Sequence, residues 1–143
     1  MTYLLDTCVI AELASPNPDP AVTRWLDSQP EEIVFISVVT LAEIKQSIEQ
    51  EASIAKKALL NNWLMSDLLV RFSGRISEFS VGTTLKWSEF SLKWKALKHT
   101  LSVADSLNLA IALFYDHTLV TRDVAIFEDT GVKVMNPFSP KES

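Results

Sequence analysis

The sequence predicts an α/β fold with three layers, in which helices cover both faces of a central parallel sheet of about five strands. Two observations favour this class. Five short apolar runs of strand length are spread along the chain. Stretches with apolar residues at helical spacing separate them, and such alternation is typical of a parallel sheet that is buried on both sides.

The predicted strands occupy residues 3–5, 33–36, 76–79, 119–120 and 132–135. All except the last lead into a helical pattern. Apolar positions between residues 41 and 72 predict one long helix or a helical hairpin. Two further helices are predicted over residues 81–97 and 103–115.

Length and composition predict a single domain that spans residues 1–143. With 48% hydrophobic residues, the chain is expected to bury roughly two-thirds of the surface that its unfolded form exposes. The single cysteine, Cys8, cannot form an intramolecular disulfide, and no signal peptide is recognisable. No apolar run reaches the ~18 residues of a membrane span. We therefore expect a cytoplasmic protein without membrane contact.

The charge balance restricts how nucleic acid could bind. The formal net charge is −5 and the pI is about 5.0, whereas proteins that coat a phosphate backbone broadly are basic. Contact with nucleic acid must therefore be local, with bound metal ions supplying positive charge. A basic protein partner would suit the same acidic balance.

Acidic residues stand at equivalent places around the predicted sheet. They are Asp6 at the end of the first strand, Glu43 about one helical turn after the second, Asp105 at the start of a helix, and Asp123 shortly after the fourth strand. The carboxyl ends of parallel strands meet helix N termini at one edge, where α/β proteins bind ligands. We predict that these carboxylates lie together.

Each acid also has an ordinary structural explanation, because Asp, Ser and Thr are preferred at helix starts. Asp6 and Asp123 could each cap a following helix. Residues 40–43 have the form of a capping box, and residues 102–105 resemble one. Two observations favour a functional site instead: the acids share one sheet edge, and no basic residue is close in sequence to Asp6 or Asp105.

Clustered carboxylates repel one another unless a cation binds between them. Oxygen ligands without accompanying His or Cys favour magnesium or manganese over zinc. Such ions activate water and stabilise a phosphodiester under in-line attack. The pattern therefore predicts a metal-dependent phosphodiester hydrolase.

Other chemistries fit the sequence poorly. No glycine-rich phosphate loop is present, which excludes the common ATPase and dehydrogenase patterns. We expect His99 and His117 at the surface, which gives little support to a two-histidine ribonuclease. An aspartyl-phosphate phosphatase would need Asp where Cys8 stands, and we expect the Cys8 thiol to be packed rather than activated.

Four motifs are recognisable, and the last of them consists of two separate segments. Residues 3–10 read Tyr-Leu-Leu-Asp-Thr-Cys-Val-Ile, and residues 37–44 contain Ser-x-x-Thr-x-x-Glu. Residues 104–105 are Ala-Asp at the start of an apolar helix. Residues 120–123 read Val-Thr-Arg-Asp, and residues 134–138 read Val-Met-Asn-Pro-Phe. In this order and at these spacings they resemble PIN-domain nucleases, and within them the VapC and FitB group of bacterial toxins, over nearly the whole chain.

The resemblance implies a PIN-like α/β/α fold, endoribonuclease activity and the role of toxin in a toxin–antitoxin pair. By position, it assigns the metal ligands as Asp6, Glu43, Asp105 and Asp123. They would bind Mg²⁺, for which Mn²⁺ could substitute. Thr7 and Thr121 would supply hydroxyls that orient the carboxylates or bound water. It also implies a homodimer, and a cognate antitoxin whose tail occupies a groove near the site. Operator DNA would be contacted only through that antitoxin.

The chain departs from the family pattern at named positions. Cys8 stands where relatives usually have Asn, and Asn108 replaces a typically apolar residue. Many relatives have Asn in place of Asp123 and an acid in place of Ile126, but Asp123 matches the subgroup that reads Thr-Arg-Asp. These departures leave open a catalytically degenerate PIN domain that binds an antitoxin and helps to occupy operator DNA. Cleavage of structured or damaged DNA is a third possibility.

Two surface features have open interpretations. Residues 63–72 could supply apolar surface for the antitoxin groove, or they could pack in the core. One stretch is both basic and aromatic and could guide RNA by charge and stacking: Lys86, Trp87, Lys93, Trp94, Lys95 and Lys98. The alternative is a solvated helix face with buried tryptophans.

Overall fold

The computed structural model describes residues 1–97 and 101–140. Their strands form one parallel sheet in the order β3-β2-β1-β4-β5, with β1 (Thr2–Leu5), β2 (Val34–Ser37), β3 (Ile76–Ser77), β4 (His117–Val120) and β5 (Val134–Met135). The chain adds β2 and β3 on one side of β1, and then β4 and β5 on the other. This reversal creates a switch point between β1 and β4, the kind of place where α/β sheets bind ligands.

Helices make the connections between the strands. They are α1 (Thr7–Leu13), α2 (Pro20–Asp27), α3 (Val38–Glu49), α4 (Ile54–Asn62), α5 (Leu69–Arg71), α6 (Val81–Lys95) and α7 (Val103–Tyr115). A π-helical segment, Trp63–Leu68, joins α4 to α5, and short 3₁₀ turns occupy Glu31–Ile33 and Val124–Phe127. The region 41–72 is therefore a helical hairpin rather than one long helix. No helix in the described ranges is long and apolar enough to cross a membrane.

Alternation of side chains along the central strands produces two cores. Leu5 and Val120 pack into the core formed with α1, α2 and α3, whereas Leu4 and Leu119 pack on the opposite face against α7. All four side chains are 0% exposed, and burial of each contributes about 1.5–3 kcal/mol. The central sheet is thus covered on both sides, which confirms the predicted three-layer α/β/α fold.

The expectation for His117 was wrong, because its side chain is buried rather than at the surface. Its Nδ1 lies 2.6 Å from the Thr2 hydroxyl, and its Nε2 lies 3.2 Å from the Ser77 hydroxyl. The rings of Phe35 and Tyr115 lie at centroid distances of 4.8 and 5.6 Å. Burial lowers the pKa of His117 from its ordinary 6.5 to about 4. The other histidine, His99, lies outside the described residues.

This buried histidine predicts a loss of stability in acid. Between pH 6.5 and about 4 the unfolded chain binds a proton that folded His117 does not, so the free energy of unfolding falls as pH falls. The slope from this group is at most about 1.4 kcal/mol per pH unit. We expect His117→Gln to reduce the difference in unfolding free energy between pH 4.5 and pH 7, measured by urea titration. An unchanged difference would show that carboxylates cause the acid sensitivity.

Candidate metal site

The structure places all four predicted acids around the carboxyl edge of the sheet. Asp6 directly follows β1, and its N–H donates to the Val120 carbonyl at the end of β4 (2.9 Å). Glu43 lies in the first half of α3, and Asp105 lies in the first turn of α7. The charges of Glu43 and Asp105 both act on the Asp6 carboxyl, so these three acids share one electrostatic environment.

Asp6 is held at both carboxylate oxygens. Oδ1 accepts the Thr7 backbone N–H (2.9 Å), which makes Asp6 the N-cap of α1. Oδ2 accepts the Thr121 hydroxyl (2.8 Å), a contact that helix capping does not require. Burial raises the pKa of Asp6 above 3.8, the bonds from Thr121 and Thr7 oppose that rise, and the charges of Asp105 and Glu43 add to it. The capping explanation is therefore correct but incomplete.

The capping-box explanation for Glu43 was wrong. The helix α3 begins at Val38, and its N-cap is Ser37, whose hydroxyl accepts the Thr40 N–H (3.1 Å). Glu43 therefore lies inside the helix and has no capping role. Its Oε1 accepts the Thr7 hydroxyl (2.7 Å), which ties α3 to the residue that follows Asp6.

Asp105 and Asp123 also lack a capping role for their carboxylates. Ser102 caps α7 by accepting the Asp105 N–H (3.0 Å), but in the described ranges the Asp105 carboxylate returns no hydrogen bond. Asp123 precedes a 3₁₀ turn and makes no side-chain capping bond there. Its backbone N–H donates to the Thr121 hydroxyl (3.2 Å).

Thr121 connects the acids that follow β1 and β4. It is 0% exposed, and its hydroxyl donates to Asp6 while it accepts from the Asp123 N–H. The Cys8 Sγ lies 3.6 Å from the same hydroxyl and 3.9 Å from Asp6 Oδ2. Burial raises the pKa of the Cys8 thiol above 9.0, so it is a neutral neighbour of the site at physiological pH.

Asn108 has a contact that sequence reasoning missed. It is 2% exposed, and its Oδ1 accepts the hydroxyl of Ser37. Ser37 caps the helix that carries Glu43, so Asn108 supports that helix start from α7. The two residues are 71 positions apart, and no local pattern signals their pairing.

Within the described residues, the acids at this edge have no basic partner. In the described part of the chain, no Lys or Arg nitrogen lies within 4.0 Å of the four carboxylates. The basic residues nearest in sequence are engaged elsewhere. Arg122 pairs with Glu12 (3.6 Å) and lies 3.9 Å from the centroid of the Phe138 ring, and Lys45 pairs with Glu49 (2.8 Å).

These oxygens and their uncompensated charge fit a hard divalent cation. The donors come from elements that meet at one sheet edge, and hydroxyls already orient the carboxylates of Asp6 and Glu43. Nevertheless, among residues 1–97 and 101–140 no three His, Cys, Asp or Glu side chains converge closely enough to enclose an ion. The donor chemistry therefore fits the ion, while the present side-chain spacing is wider than coordination requires.

A groove of about 350 Å³ begins beside the acids and runs between α1, α3 and α4. Thr7 and Glu43 form its end, and Ile44, Leu60 and Trp63 form apolar walls. Three other apolar residues of the 63–72 region, Leu64, Leu68 and Phe72, are buried in the core. Within this region, Trp63 thus lines the groove, whereas the other three residues pack in the core.

The residues of the basic and aromatic stretch on α6 differ in their exposure to solvent. Trp94 is 3% exposed, and its Nε1 donates to the Thr130 carbonyl (3.0 Å). Trp87 is only partly buried, and Lys93 and Lys95 are exposed. Lys98 lies outside the described residues.

Comparison with known proteins identifies relatives over most of the chain. The PIN domain family model matches residues 3–133. VapC ribonuclease Y4jK of Sinorhizobium fredii is 28% identical and is matched over 96% of this chain and 98% of its own length. Toxin FitB of Neisseria gonorrhoeae is 33% identical over 94% of this chain and 97% of its own length.

Solved structures agree with the sequence matches. A chain in the structure of FitAB bound to a DNA fragment superposes with a TM-score of 0.88 at 30% identity, covering 99% of both chains. This similarity confirms the resemblance drawn from the four motifs. The chain therefore belongs to the PIN-domain family, and within that family it is a homologue of the VapC and FitB toxins of toxin–antitoxin systems.

Proposed function

We propose that this protein is a magnesium-dependent endoribonuclease that acts as the toxin of a toxin–antitoxin pair. The observation that carries the proposal is the acidic edge of the sheet, where Asp6, Glu43, Asp105 and Asp123 have no basic partner within 4.0 Å in the described ranges. PIN-domain proteins are typically metal-dependent, and the related Y4jK protein is a VapC ribonuclease. Mn²⁺ is expected to substitute for Mg²⁺ because both prefer oxygen ligands.

The chain's own residues would hold and orient the reacting groups. Asp6, Glu43, Asp105 and Asp123 would bind the ion, which when bound supplies activated water and offsets negative charge on the phosphodiester. Thr121 keeps Asp6 Oδ2 in one orientation, and Thr7 does the same for Glu43. Asp105 has no described internal partner, so its carboxylate remains available to a ligand.

The first test is RNA cleavage by purified protein with and without Mg²⁺. We expect cleavage of single-stranded RNA that EDTA abolishes, and little cleavage of the matching DNA. Asp6→Asn should reduce cleavage by more than about 100-fold, because even residues that only support metal ligands are worth 10–100-fold. Equal cleavage by that variant would indicate a contaminating nuclease. Preferential cleavage of DNA would instead favour a DNA nuclease.

The groove beside the acids suits the tail of a cognate antitoxin. Its apolar walls, which include Leu60 and Trp63, continue directly to Thr7 and Glu43. A segment with apolar side chains and a terminal basic group would fill the groove and place its cation among the acids. The solved FitAB and VapBC structures are complexes with DNA fragments, and we infer that operator DNA is contacted through the antitoxin.

We also propose a homodimer that uses a shallow apolar face between α3 and α7. This face includes Val39, Ala42, Val103 and Leu107, and Val103 is 72% exposed. Val103→Glu is expected to convert a dimer into a monomer with little loss of folding stability, because the side chain is already exposed. Val81→Glu is the matched control, since Val81 is 78% exposed on α6 outside this face. Light scattering after size exclusion measures both, and a dimeric Val103→Glu would place the interface elsewhere.

A second candidate function is a catalytically degenerate PIN domain that binds an antitoxin and helps to occupy operator DNA. The wide spacing of the acids and the thiol of Cys8 beside Asp6 favour it. Manganese titration separates the two candidates. Stoichiometric Mn²⁺ binding that depends on Asp105 would contradict the degenerate site.

A further inference from the structure

A second cavity, of about 450 Å³, lies between α6 and α7 next to the acidic edge. Its described lining combines two indoles, three serine hydroxyls and one lysine with three aliphatic side chains: Trp87, Trp94, Ser91, Ser102, Ser106, Lys95, Leu97, Leu101 and Val103. The first turn of α7 joins this cavity to the acids. Ser102, which lines the cavity, accepts the Asp105 N–H. Ser106 also lines the cavity, and it directly follows Asp105, the residue whose charge acts on Asp6.

Trp87 forms a rigid, partly exposed wall of this cavity. Its Nε1 donates to the Ser106 hydroxyl (3.0 Å), and that hydroxyl donates to the Val103 carbonyl (2.7 Å). These bonds hold the indole in one plane. Trp94 is almost fully buried, so it contributes to the floor. The cavity thus has one aromatic platform in a fixed orientation.

Lysine side chains supply positive charge at the rim. In the described part of the chain, no carboxylate lies within 4.0 Å of Lys93 or Lys95, whereas other lysines form glutamate pairs: Lys45, Lys56, Lys57 and Lys86. Lys93 lies 5.3 Å from the Phe90 ring centroid. On a chain with net charge −5, these two lysines make this end of α6 locally positive.

The combination of indole and aliphatic walls with hydroxyls and one ammonium group matches a nucleotide, which has a flat base as well as a charged phosphate. A flat indole stacks on a base of any sequence, hydroxyls bond to base edges, and an ammonium group binds the phosphate. The volume falls in the range of about 300–1,000 Å³ that small-molecule sites occupy. We propose that the cavity is a subsite for one RNA nucleotide beside the scissile phosphate, with its base on Trp87 and its phosphate at Lys95. This inference rests on the proposed ribonuclease function.

The test measures binding separately from cleavage. A fluorescein-labelled oligoribonucleotide of about six nucleotides, within the usual site sizes for single strands, is titrated into full-length Asp6→Asn protein in EDTA. Fluorescence anisotropy gives the Kd. Trp87→Leu in this background should raise the Kd about tenfold, the value expected for loss of one stacked base. Lys95→Gln should raise it and reduce its salt dependence, whereas Lys133→Gln, at an exposed position just before β5 and at the opposite edge of the sheet, should leave it unchanged.

Indole NMR signals identify the contact directly. The chain has four tryptophans, and the Trp87 signal is the one missing from the Trp87→Phe spectrum. We expect the oligonucleotide to shift this signal. Lys95 is exposed, so Lys95→Gln stays informative even if Trp87→Leu fails to fold.

The outcomes distinguish this inference from the proposed function. Unchanged Kd values for Trp87→Leu and Lys95→Gln, or equal weakening by Lys133→Gln, would overturn the subsite even if wild-type protein cleaves RNA. Binding that shifts Trp87 and depends on Lys95, without any cleavage by wild-type protein, would support the subsite while the proposed catalysis fails. Absence of any binding, both in EDTA and with Mg²⁺ added, would overturn the subsite.

Discussion

Asp105→Asn is expected to abolish magnesium-dependent RNA cleavage, with a loss of more than about 100-fold in kcat/KM, while the fold remains intact. The Asp105 carboxylate makes no hydrogen bond or ion pair within the described residues, so its replacement breaks no internal contact. It also removes a negative charge that acts on buried Asp6. The free energy of unfolding should therefore stay within about 0.5 kcal/mol of the parent, or rise slightly.

The same variant decides between an active and a degenerate site. We expect a titration with Mn²⁺, monitored by calorimetry or electron paramagnetic resonance, to show that the parent binds the ion and that Asp105→Asn does not. Asp116→Asn is the matched control, because Asp116 ends the same helix at the opposite edge of the sheet. Its left-handed backbone conformation (φ 56°) is one that Asn tolerates well. If both variants cleave RNA like the parent, Asp105 has no place in the site.

Much of the fold could be predicted because burial leaves a strong pattern in the sequence. The helix α7 was predicted over the residues that it occupies, since its apolar residues repeat at helical spacing and Ser102 stands at its start. The break between α3 and α4 was left open, because apolar spacing continues across residues 50–53. The burial of His117 was missed, since its partners Thr2 and Ser77 come from distant strands.

For the candidate site, the sequence predicted which acids lie at one edge of the sheet but not the contacts that hold their side chains. Strand ends and motif order indicated which acids share one edge, because parallel strands end together. Local pattern could not decide the role of Glu43, since Ser37 and Thr40 are both possible helix caps and the structure uses Ser37. The contact of Asn108 with Ser37 and that of Cys8 with Thr121 join residues far apart in sequence. Such contacts depend on tertiary packing and have no local signal.

Thr121→Val is expected to reduce both stability and activity, in contrast to Asp105→Asn. The substitution keeps the side-chain shape but removes the donor to Asp6 Oδ2 and the acceptor for the Asp123 N–H. Because Thr121 is 0% exposed, water cannot replace these bonds, and the free energy of unfolding should fall by about 1–3 kcal/mol. Loss of carboxylate orientation should weaken metal affinity and activity by about 10–100-fold.

Magnesium titration separates an orienting role for Thr121 from a purely structural one. If the hydroxyl orients Asp6, Thr121→Val should need a higher Mg²⁺ concentration for half-maximal cleavage and regain activity when that concentration is raised. Thr121→Ser retains the hydroxyl and should keep the parent's Mg²⁺ requirement, even if loss of the methyl group lowers stability. Equal Mg²⁺ requirements in Thr121→Val and the parent would mean that Thr121 only holds β4 against Asp6. The acids would then be positioned by the ends of their strands and helices, without help from this hydroxyl.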